Sequence, residues 1–426
     1  MLRFAQSPTS DMDISNLRVA LLNHIISKQQ NIELFIRIDD TNKNLNIEEK
    51  DKEILEILNL FGIDYTRVIH QSENIKLHTQ MAMKLLLDKK AFNCFCSDEA
   101  LKIDKQKAKE NSEPYSYSGF CQTISDETKF NCNAPFIVRL NKPKSAIKFT
   151  DKLKGNCSFE PYEIDSFPIL NVDKSPTENF ACGVDDMIYD ISTIVKEDSH
   201  INNTAKQILL RESLGYEKEI NYIHLPMIID SKNDDTLCVK NLIDQGYLPV
   251  AIANYLIFLS YPMPKEIFTI EEVIPLIDVN KLFKELLHFD IKKLQFFNKY
   301  YIKQLDDLRL SKILGYADID LGKLAKLYLD ECNTTMEIKN KLDSIFSIKS
   351  TCKDFEKEFL IINNCLKNSP FIEEFQNLKS YIIDKTSLQE EQILTPLRYT
   401  LTGMTDGPDL SEIYPLIKNY LGEIIK

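Results

Sequence analysis

The 426-residue sequence is poor in glycine and in arginine. Its 11 glycines make up about 2.6% of the chain, against a usual share of roughly 7%. Turns that cradle phosphate need Gly where the backbone approaches the ligand closely, so this scarcity counts against a Gly-rich phosphate loop. Only eight of the 52 basic residues are Arg. Together with frequent Asn and Ile, the excess of Lys indicates a genome-wide compositional bias rather than a functional one.

Long hydrophobic runs and a leader sequence are also missing. No stretch of 18 or more apolar residues occurs, which excludes a membrane-spanning helix. The first residues, MLRFA, lack the basic start, apolar middle and cleavage site of a signal peptide. We therefore expect a cytoplasmic protein, not associated with a membrane, whose ten cysteines are mostly reduced. The net charge of −12 argues weakly against a protein that wraps nucleic acid electrostatically, but it leaves room for a local basic face.

The hydrophobic pattern predicts an α/β first half and a helical second half. Residues 2–5 and 32–38 have the pattern of buried strands, while 14–27 and 48–61 have helical periodicity. This alternation is typical of a parallel sheet covered by helices. The sequence pattern changes over residues 90–165, which predicts a domain inserted into that sheet. After Gly246 the pattern is helical almost throughout, with one long helix expected over 281–305.

Six segments spread over nearly the whole chain carry a family resemblance. They are RFAQSPTS at 3–10, FIRIDDT at 35–41, QILL before LG at 207–215, HLPM at 224–227, GYLP with AIANYL at 246–256, and LTG with GP at 401–408. In this order they resemble the segments of class I glutamyl-tRNA synthetases. The resemblance implies activation of glutamate with ATP and Mg²⁺, followed by transfer to the 3′ end of a tRNA. The tRNA would be a glutamate or glutamine isoacceptor.

The same resemblance implies a domain plan. A Rossmann-like catalytic domain with a parallel sheet is expected over 1–89 and 166–227, interrupted by an α+β acceptor-stem-binding domain over 90–165. A connecting helical domain would follow over 228–305, and an all-α anticodon-binding domain over 306–426. The presence of this last region disfavours a shorter relative that glutamylates a modified tRNA base. We expect a monomer.

The resemblance places the ATP site on two signatures that are altered here. The first falls on Asp13-Ile14-Ser15-Asn16, with Asp13 in the place of a His and Ser15 in that of a Gly. A carboxylate about 5 Å from phosphate, together with a lost donor, would slow the reaction on the order of 10⁴-fold or more, unless Mg²⁺ bridges Asp13 and the phosphates. The second signature is shortened to the remnant Ser231-Lys232. The implied ATP-binding residues are Ser7, Asp13, Asn16, Ser231 and Lys232, of which Asp13, Asn16 and Lys232 would be catalytic.

The implied glutamate-binding residues lie in four segments of the sequence. They are Arg3, Ala5, Ser7, Asp39, Glu178 and Lys196. Asp39 replaces a Glu, Glu178 a Tyr, and Lys196 an Arg that pairs with the substrate carboxylate. Because Lys lacks the bidentate geometry of Arg, this last change weakens recognition of the carboxylate.

Cysteines in the predicted insertion indicate a metal site. Cys94-x-Cys96 followed by Tyr117-x₃-Cys121 is similar to the zinc-binding spacing of some members of the resembled family. Two thiolates two positions apart with a distant third suit tetrahedral Zn²⁺, and Tyr117 or Cys132 would be the fourth ligand. The alternative is a group of buried reduced cysteines. For tRNA, Arg398 near the last matching segment is a candidate contact with the anticodon.

Two functions fit these observations. One is a glutamate–tRNA ligase that retains the family reaction, supported by the whole-length match with Arg3, Ser7 and Ser231-Lys232. The other is a non-catalytic tRNA-binding paralogue, supported by Asp13, Glu178, Lys196 and the shortened loop. The sequence alone does not say which tRNA is bound.

Overall fold

The structure, a computed structural model, describes residues 1–110, 116–230, 237–350 and 354–425. These residues form two compact units, one of residues 1–240 with 256–289, the other of residues 241–255 with 290–426. The predicted second-signature residues, Ser231 and Lys232, lie outside the described residues. None of the described helices has the length and apolar content needed to cross a membrane.

The first unit contains all the strands of the described chain. They are β1 Leu2–Gln6, β2 Leu34–Ile38, β3 Val68–His70, β4 Ala91–Cys94, β5 Ile137–Leu140, β6 Ile147–Asp151, β7 Gly155–Phe159, β8 Pro168–Leu170, β9 Thr193–Glu197, β10 Asn221–Leu225, β11 Ile228–Ile229 and β12 Leu287–His288.

Helices fill the spaces between these strands and most of the second half of the chain. Up to residue 273 they are α1 Ile14–Gln30, α2 Lys50–Leu60, α3 Ile75–Leu87, α4 Asp98–Glu110, α5 Phe120–Thr123, α6 Asp126–Phe130, α7 Glu178–Ile188, α8 Ile201–Leu214, α9 Val239–Asp244, α10 Pro249–Ser260 and α11 Ile270–Val273. From residue 291 they are α12 Ile291–Gln304, α13 Asp307–Ile313, α14 Ile319–Leu327, α15 Thr335–Phe346, α16 Glu356–Lys367, α17 Phe375–Thr386, α18 Glu390–Thr402, α19 Leu410–Ile417 and α20 Leu421–Ile424.

A seven-stranded sheet organises the first unit, in the order β3-β2-β1-β9-β10-β6-β7. All neighbours in it are parallel except β6 and β7, which pair antiparallel from Ile147↔Phe159 to Asp151↔Gly155. Its first five strands follow the strand order of a Rossmann-like fold. The predicted fold class, an α/β parallel sheet followed by a helical half, is thereby confirmed.

The segment predicted as an insertion contributes to two sheets. β4 and β5 form a separate antiparallel sheet with β8, whereas β6 and β7 continue the seven-stranded sheet beyond β10. The core between α3, α7, α8 and the smaller sheet includes Leu85, Leu140, Phe180 and Leu210, each fully buried.

Helix starts in the second unit follow from the sequence. Asp290, Asp306, Asp318 and Asp409 accept hydrogen bonds from backbone N–H groups at the first turns of α12, α13, α14 and α19. Such caps satisfy donors that have no intrahelical partner. The helix expected over 281–305 therefore begins only at Ile291, after β12 has paired with β11. Buried Ile, Leu and Tyr side chains such as Leu324, Leu342 and Tyr414 form the core of this unit.

Candidate active site

A cavity of about 110 Å³ opens where the order of the parallel strands reverses, between β1 and β9. Ligands of open α/β sheets bind at such switch points, beyond the carboxyl ends of the strands. Side chains from β1, β2, β9, α1, α7 and α8 line this cavity. Arg3, Ala5, Asn16, Asp39, Glu178 and Lys196, six of the predicted site residues, lie on its wall.

A buried network of charges forms the floor of the cavity. Asp186 of α7 is fully buried and accepts two hydrogen bonds from Arg3, at 3.0 and 3.1 Å, in bidentate geometry. Arg37 of β2 donates a third at 2.8 Å. Burial opposes ionisation, but the two guanidinium groups hold the pKa of Asp186 well below its usual range. Asp186 is therefore a carboxylate that orients both arginines.

Arg37 extends the network to Asp39 at the carboxyl end of β2. Its Nε donates to Asp39 Oδ1 at 2.6 Å and its Nη2 to Asp39 Oδ2 at 3.2 Å. The thiol of Cys182 lies between the two groups, 3.1 Å from Arg37 Nη2 and 3.4 Å from Asp39 Oδ2. Burial raises the pKa of Cys182 well above its usual range, so this sulfur stays protonated. Asp39 is thus held in place with its carboxylate at the cavity.

Lys196 provides a cation on the wall of the cavity that has no carboxylate partner among the described residues within 4 Å. Its ammonium group donates to Gln207 Oε1 at 3.2 Å. Burial, reinforced by the positive charge of Arg3, lowers the pKa of Lys196 to about 7. Lys196 is thus available to bind an anionic ligand.

Side chains at the start of α1 already occupy hydrogen-bonding groups of its first turn. Asp13 Oδ1 accepts a hydrogen bond of 2.7 Å from the backbone N–H of Asn16, which makes Asp13 the N-cap of the helix. The hydroxyl of Ser15 bonds to the carboxylate of Glu197 at the end of β9, and burial raises the pKa of Glu197. A ligand that approaches α1 therefore meets two acidic side chains.

Arg18 fixes this corner from inside. Fully buried on α1, it donates to the backbone oxygen of Pro226 at 2.5 Å and lies 3.8 Å from Glu197. Burial lowers the pKa of Arg18 to about 10, and the group remains charged at neutral pH. Arg18 thus connects α1 with the residues that follow β10.

The other predicted residues fall at three places. Ser7 lines a larger cavity of about 1,210 Å³, which shares Asp39 and Glu178 with the small one. Ser231 and Lys232 lie outside the described residues. Arg398 belongs to the second unit, where its Nη1 donates to the backbone oxygen of Pro408 at 2.6 Å.

Sequence reasoning missed the residues that hold the site together. Asp186 and Cys182 had no predicted role, and Arg37 and Gln207 were noted only as parts of matching segments. The paired acids Asp185 and Asp186 inside an apolar helix are a usable signal, because buried carboxylates need partners. Nothing in the local sequence around Gln207 marks it as the partner of Lys196.

A buried His-Asp-Thr arrangement also lies in this unit. His224 of β10 contacts Asp151 Oδ2 at 2.7 Å and Thr204 Oγ1 at 2.9 Å. The three side chains are at most 1% exposed. No substrate reaches them, so the group connects β10, β6 and α8 structurally.

The predicted cysteines come together beside β4. Sulfur atoms of Cys94, Cys96 and Cys121 all lie within 4.8 Å of one another, and those of Cys96 and Cys121 are 3.6 Å apart. The Tyr117 hydroxyl is 3.5 Å from the sulfurs of Cys94 and Cys96. Ligand atoms around tetrahedral zinc are about 3.7 Å apart at a zinc–sulfur distance of ~2.3 Å. The donor set therefore fits Zn²⁺, whereas Cys132 is exposed and outside this group.

Comparison with known proteins identifies relatives over the full chain. Residues 1–296 match the family model of the class I tRNA synthetases (E and Q), catalytic domain. The chain is 48% identical to the glutamate–tRNA ligase 2 of Sulfurimonas denitrificans and 45% identical to the glutamate–tRNA ligase 1 of Campylobacter curvus, in each case over 100% of both chains.

A solved structure shares the fold. It is a glutamate tRNA ligase from Elizabethkingia meningosepticum in complex with its amino acid, with a TM-score of 0.78 at 20% identity, covering 100% of this chain and 98% of that one.

Proposed function

The chain belongs to the glutamate–tRNA ligase family of class I tRNA synthetases, and we propose that it attaches glutamate to the 3′ end of a glutamate or glutamine tRNA. The observation that carries this proposal is the cavity at the strand switch point, where Lys196 faces Asp39 and Glu178. A cation opposite two carboxylates complements an amino acid with an anionic side chain. The structural relative from E. meningosepticum was solved with its amino acid bound.

In the proposed complex, each end of glutamate has a partner. Lys196 binds the side-chain carboxylate, with Arg3 beside it. Asp39 and Glu178 bind the α-ammonium group, and Ala5 and Ser7 leave room for the α-carboxylate. Asp186 and Arg37 touch no substrate but hold Arg3 and Asp39 in position, because each makes two or more hydrogen bonds to them.

ATP enters as its magnesium complex and lies against the first turn of α1. Ser7, Asp13 and Asn16 would contact it, with Ser231 and Lys232 as the second-signature contribution. The α-carboxylate of glutamate attacks the α-phosphorus and pyrophosphate leaves. A ribose hydroxyl at the tRNA 3′ end then attacks the carbonyl carbon, and AMP leaves.

For tRNA, we propose the domain plan expected from the sequence. The region 90–165 would bind the acceptor stem and the helical region 306–426 the anticodon, with 228–305 connecting them to the catalytic residues 1–89 and 166–227. Arg398 would contact the anticodon loop from the second of these regions. The protein would act as a monomer in the cytoplasm, where its tRNA is found.

A non-catalytic tRNA-binding protein is the second candidate, and one observation favours it. Asp13 already accepts a hydrogen bond from the backbone N–H of Asn16 at the start of α1, and the hydroxyl of Ser15 is bonded to Glu197. If the chain is a ligase, the phosphates of ATP must approach the backbone N–H groups at this same helix start. The negative charges of Asp13 and Glu197 oppose that approach.

Single-turnover aminoacylation distinguishes the two candidates. The enzyme, in excess over total tRNA of the source cell, is mixed with radiolabelled glutamate and magnesium ATP. The ligase forms glutamyl-tRNA; Lys196→Ala should lower the rate at least 100-fold, because it removes the cation that meets the substrate carboxylate. The exposed Lys144→Ala is the matched control and should keep the rate. Absence of product, with tRNA retained on filters, would establish the second candidate.

We also propose a structural Zn²⁺ held by Cys94, Cys96, Cys121 and Tyr117. Burial raises the pKa of Cys96 to about 11, so binding of the metal must displace a proton. The purified protein should contain about one zinc per chain by elemental analysis. Cys94→Ser should lose it and the exposed Cys132→Ser should keep it; equal zinc contents would show that these cysteines hold no metal.

A further inference from the structure

The positive groups around the cavity differ in whether they have a partner. Hydrogen bonds of Arg3 and Arg37 are directed to the carboxylates of Asp186 and Asp39, and Arg211 donates to the hydroxyl of Tyr222. Among the described residues, Lys196 has only the neutral oxygen of Gln207 as a hydrogen-bond partner. This group without a carboxylate partner is also the one of the four that can lose its proton near neutral pH.

We propose that Lys196 takes up a proton from solvent when the side-chain carboxylate of glutamate binds, so that this chain binds glutamate more tightly as the pH falls. The proposal rests on the proposed function, because glutamate is its ligand. No covalent bond changes: one proton moves from solvent to Nζ of Lys196, and the resulting ammonium group pairs with the carboxylate. Here the substrate provides the counter-charge that the protein itself does not.

The environment of Lys196 explains why its proton is weakly held before the ligand binds. Burial removes the ammonium group from water and lowers the pKa of Lys196 to about 7, and the cations Arg3 and Arg211 add to this. A carboxylate in the cavity acts in the opposite direction and raises that pKa. Binding is therefore coupled to protonation, with the gain in affinity lost as the pH rises above the pKa of the free protein.

Other charged groups also face this lysine. From α7 they are Cys182 and Asp186, from β1 Arg3, from α8 Arg211, and from β10 His224. Glu178, Glu197 and His200 line the same cavity. His224 is bonded to Asp151 and Thr204, and burial lowers its pKa, which favours the neutral form of this imidazole. His200 is the imidazole on the wall of the cavity, and its substitution is the control for that of Lys196.

Calorimetry with L-glutamate alone tests the proposal. Titrations between pH 6.5 and 8.5, each in two buffers of different ionisation enthalpy, give the affinity and the number of protons taken up. We expect the affinity to fall roughly 10- to 25-fold over this range, with proton uptake that approaches one per glutamate at the upper end. Lys196→Arg, which stays charged throughout, should bind with flat affinity and no uptake. His200→Asn should keep the pH dependence of the unmodified chain.

The possible outcomes separate this inference from the proposed function. Glutamate binding with constant affinity and no proton uptake would overturn the inference and leave the function standing. Persistence of the pH dependence in Lys196→Arg, or its loss in His200→Asn, would assign the proton to another group and also overturn it. Failure of glutamate to bind at any pH would overturn both. If a variant does not fold, the affinity and proton uptake of the unmodified chain still test the inference, because constant affinity without uptake overturns it.

Discussion

At the scale of single residues, the candidate active site depends on a buried carboxylate that, in the proposed complex, does not contact the substrate. Asp186 is fully buried and receives three hydrogen bonds from Arg3 and Arg37. Without it two guanidinium groups would remain in the interior with incomplete compensation, which costs several kcal/mol. The position of the arginines is therefore determined by a residue on α7, far from them in the sequence.

Asp186→Asn should lower the free energy of unfolding by about 3–5 kcal/mol, measured by urea denaturation at pH 7. Asp190→Asn is the control: that side chain is 59% exposed and pairs with Lys218, so a loss of about 1 kcal/mol or less is expected. Because the pKa of Asp186 is lowered in the folded state, its contribution is present above the unfolded pKa of about 3.9 and is lost as the pH falls. The difference between the chain and Asp186→Asn should shrink below about pH 4. Equal losses for both variants at pH 7 would contradict this account.

The residues of the site were predictable only where a sequence pattern marks them. Arg3, Ala5 and Asp39 lie at matching segments and do line the cavity. Asp13 was expected to repel phosphate, and the structure adds that it caps α1, which its residue type allows but does not require. Gln207, Cys182 and Arg211 reach the site through packing of α7 and α8, and local sequence carries no information about such contacts.

At the scale of elements, the second unit depends on close approach between two short helices. A Cβ on Gly322 of α14 would lie 1.8 Å from the backbone oxygen of Asp307, at the start of α13. Backbone atoms cannot yield as flexible side chains do, so the two helices would have to separate. The glycine, scarce in this chain, is used here for contact between backbones.

Gly322→Ala should therefore destabilise the protein by roughly 2 kcal/mol or more, since over-packing in a filled core typically costs 1–3 kcal/mol. Gly422→Ala on α20 is matched in chemistry, but its added Cβ would meet nothing within 4 Å. We expect that control to be neutral or slightly stabilising, because Ala favours helix over Gly. Thermal unfolding of both variants measures the difference; a fully stable Gly322→Ala would contradict the assigned contact.

Element types were predictable because hydrophobic periodicity reports them, and boundaries were less so. The helix expected over 281–305 was too long because the role of Asp290 was not considered. The side chain of Asp290 accepts a hydrogen bond from the backbone N–H of Lys292, and α12 begins at Ile291. The pairing of β12 with β11 depends on residues almost 60 positions apart, and no local pattern could indicate it. The same holds for β6 and β7, which join the main sheet although their sequence lies in the segment expected as an insertion.

At the scale of the whole molecule, stability should report which ligands the native state binds. A ligand at 100 times its Kd stabilises by about 2.7 kcal/mol if it does not bind the unfolded chain. For the ligase, glutamate with magnesium ATP should raise the melting temperature above that with Mg²⁺ alone. For the non-catalytic alternative, total tRNA should raise it and millimolar ATP should not. A protein that responds to none of these ligands would contradict both functions.

The sheet order also has a consequence for synthesis on the ribosome. The N-terminal amine of Met1 bonds to Ser192, 191 residues further on, and β1 pairs with β9 in the same region. At ~5–20 residues per second, β9 leaves the ribosome roughly 10–40 s after β1. During that interval one edge of β1 has no native neighbour, and Arg3 lacks the aspartate that will hold it. The nascent chain must therefore be protected from wrong strand pairing until β9 has been made.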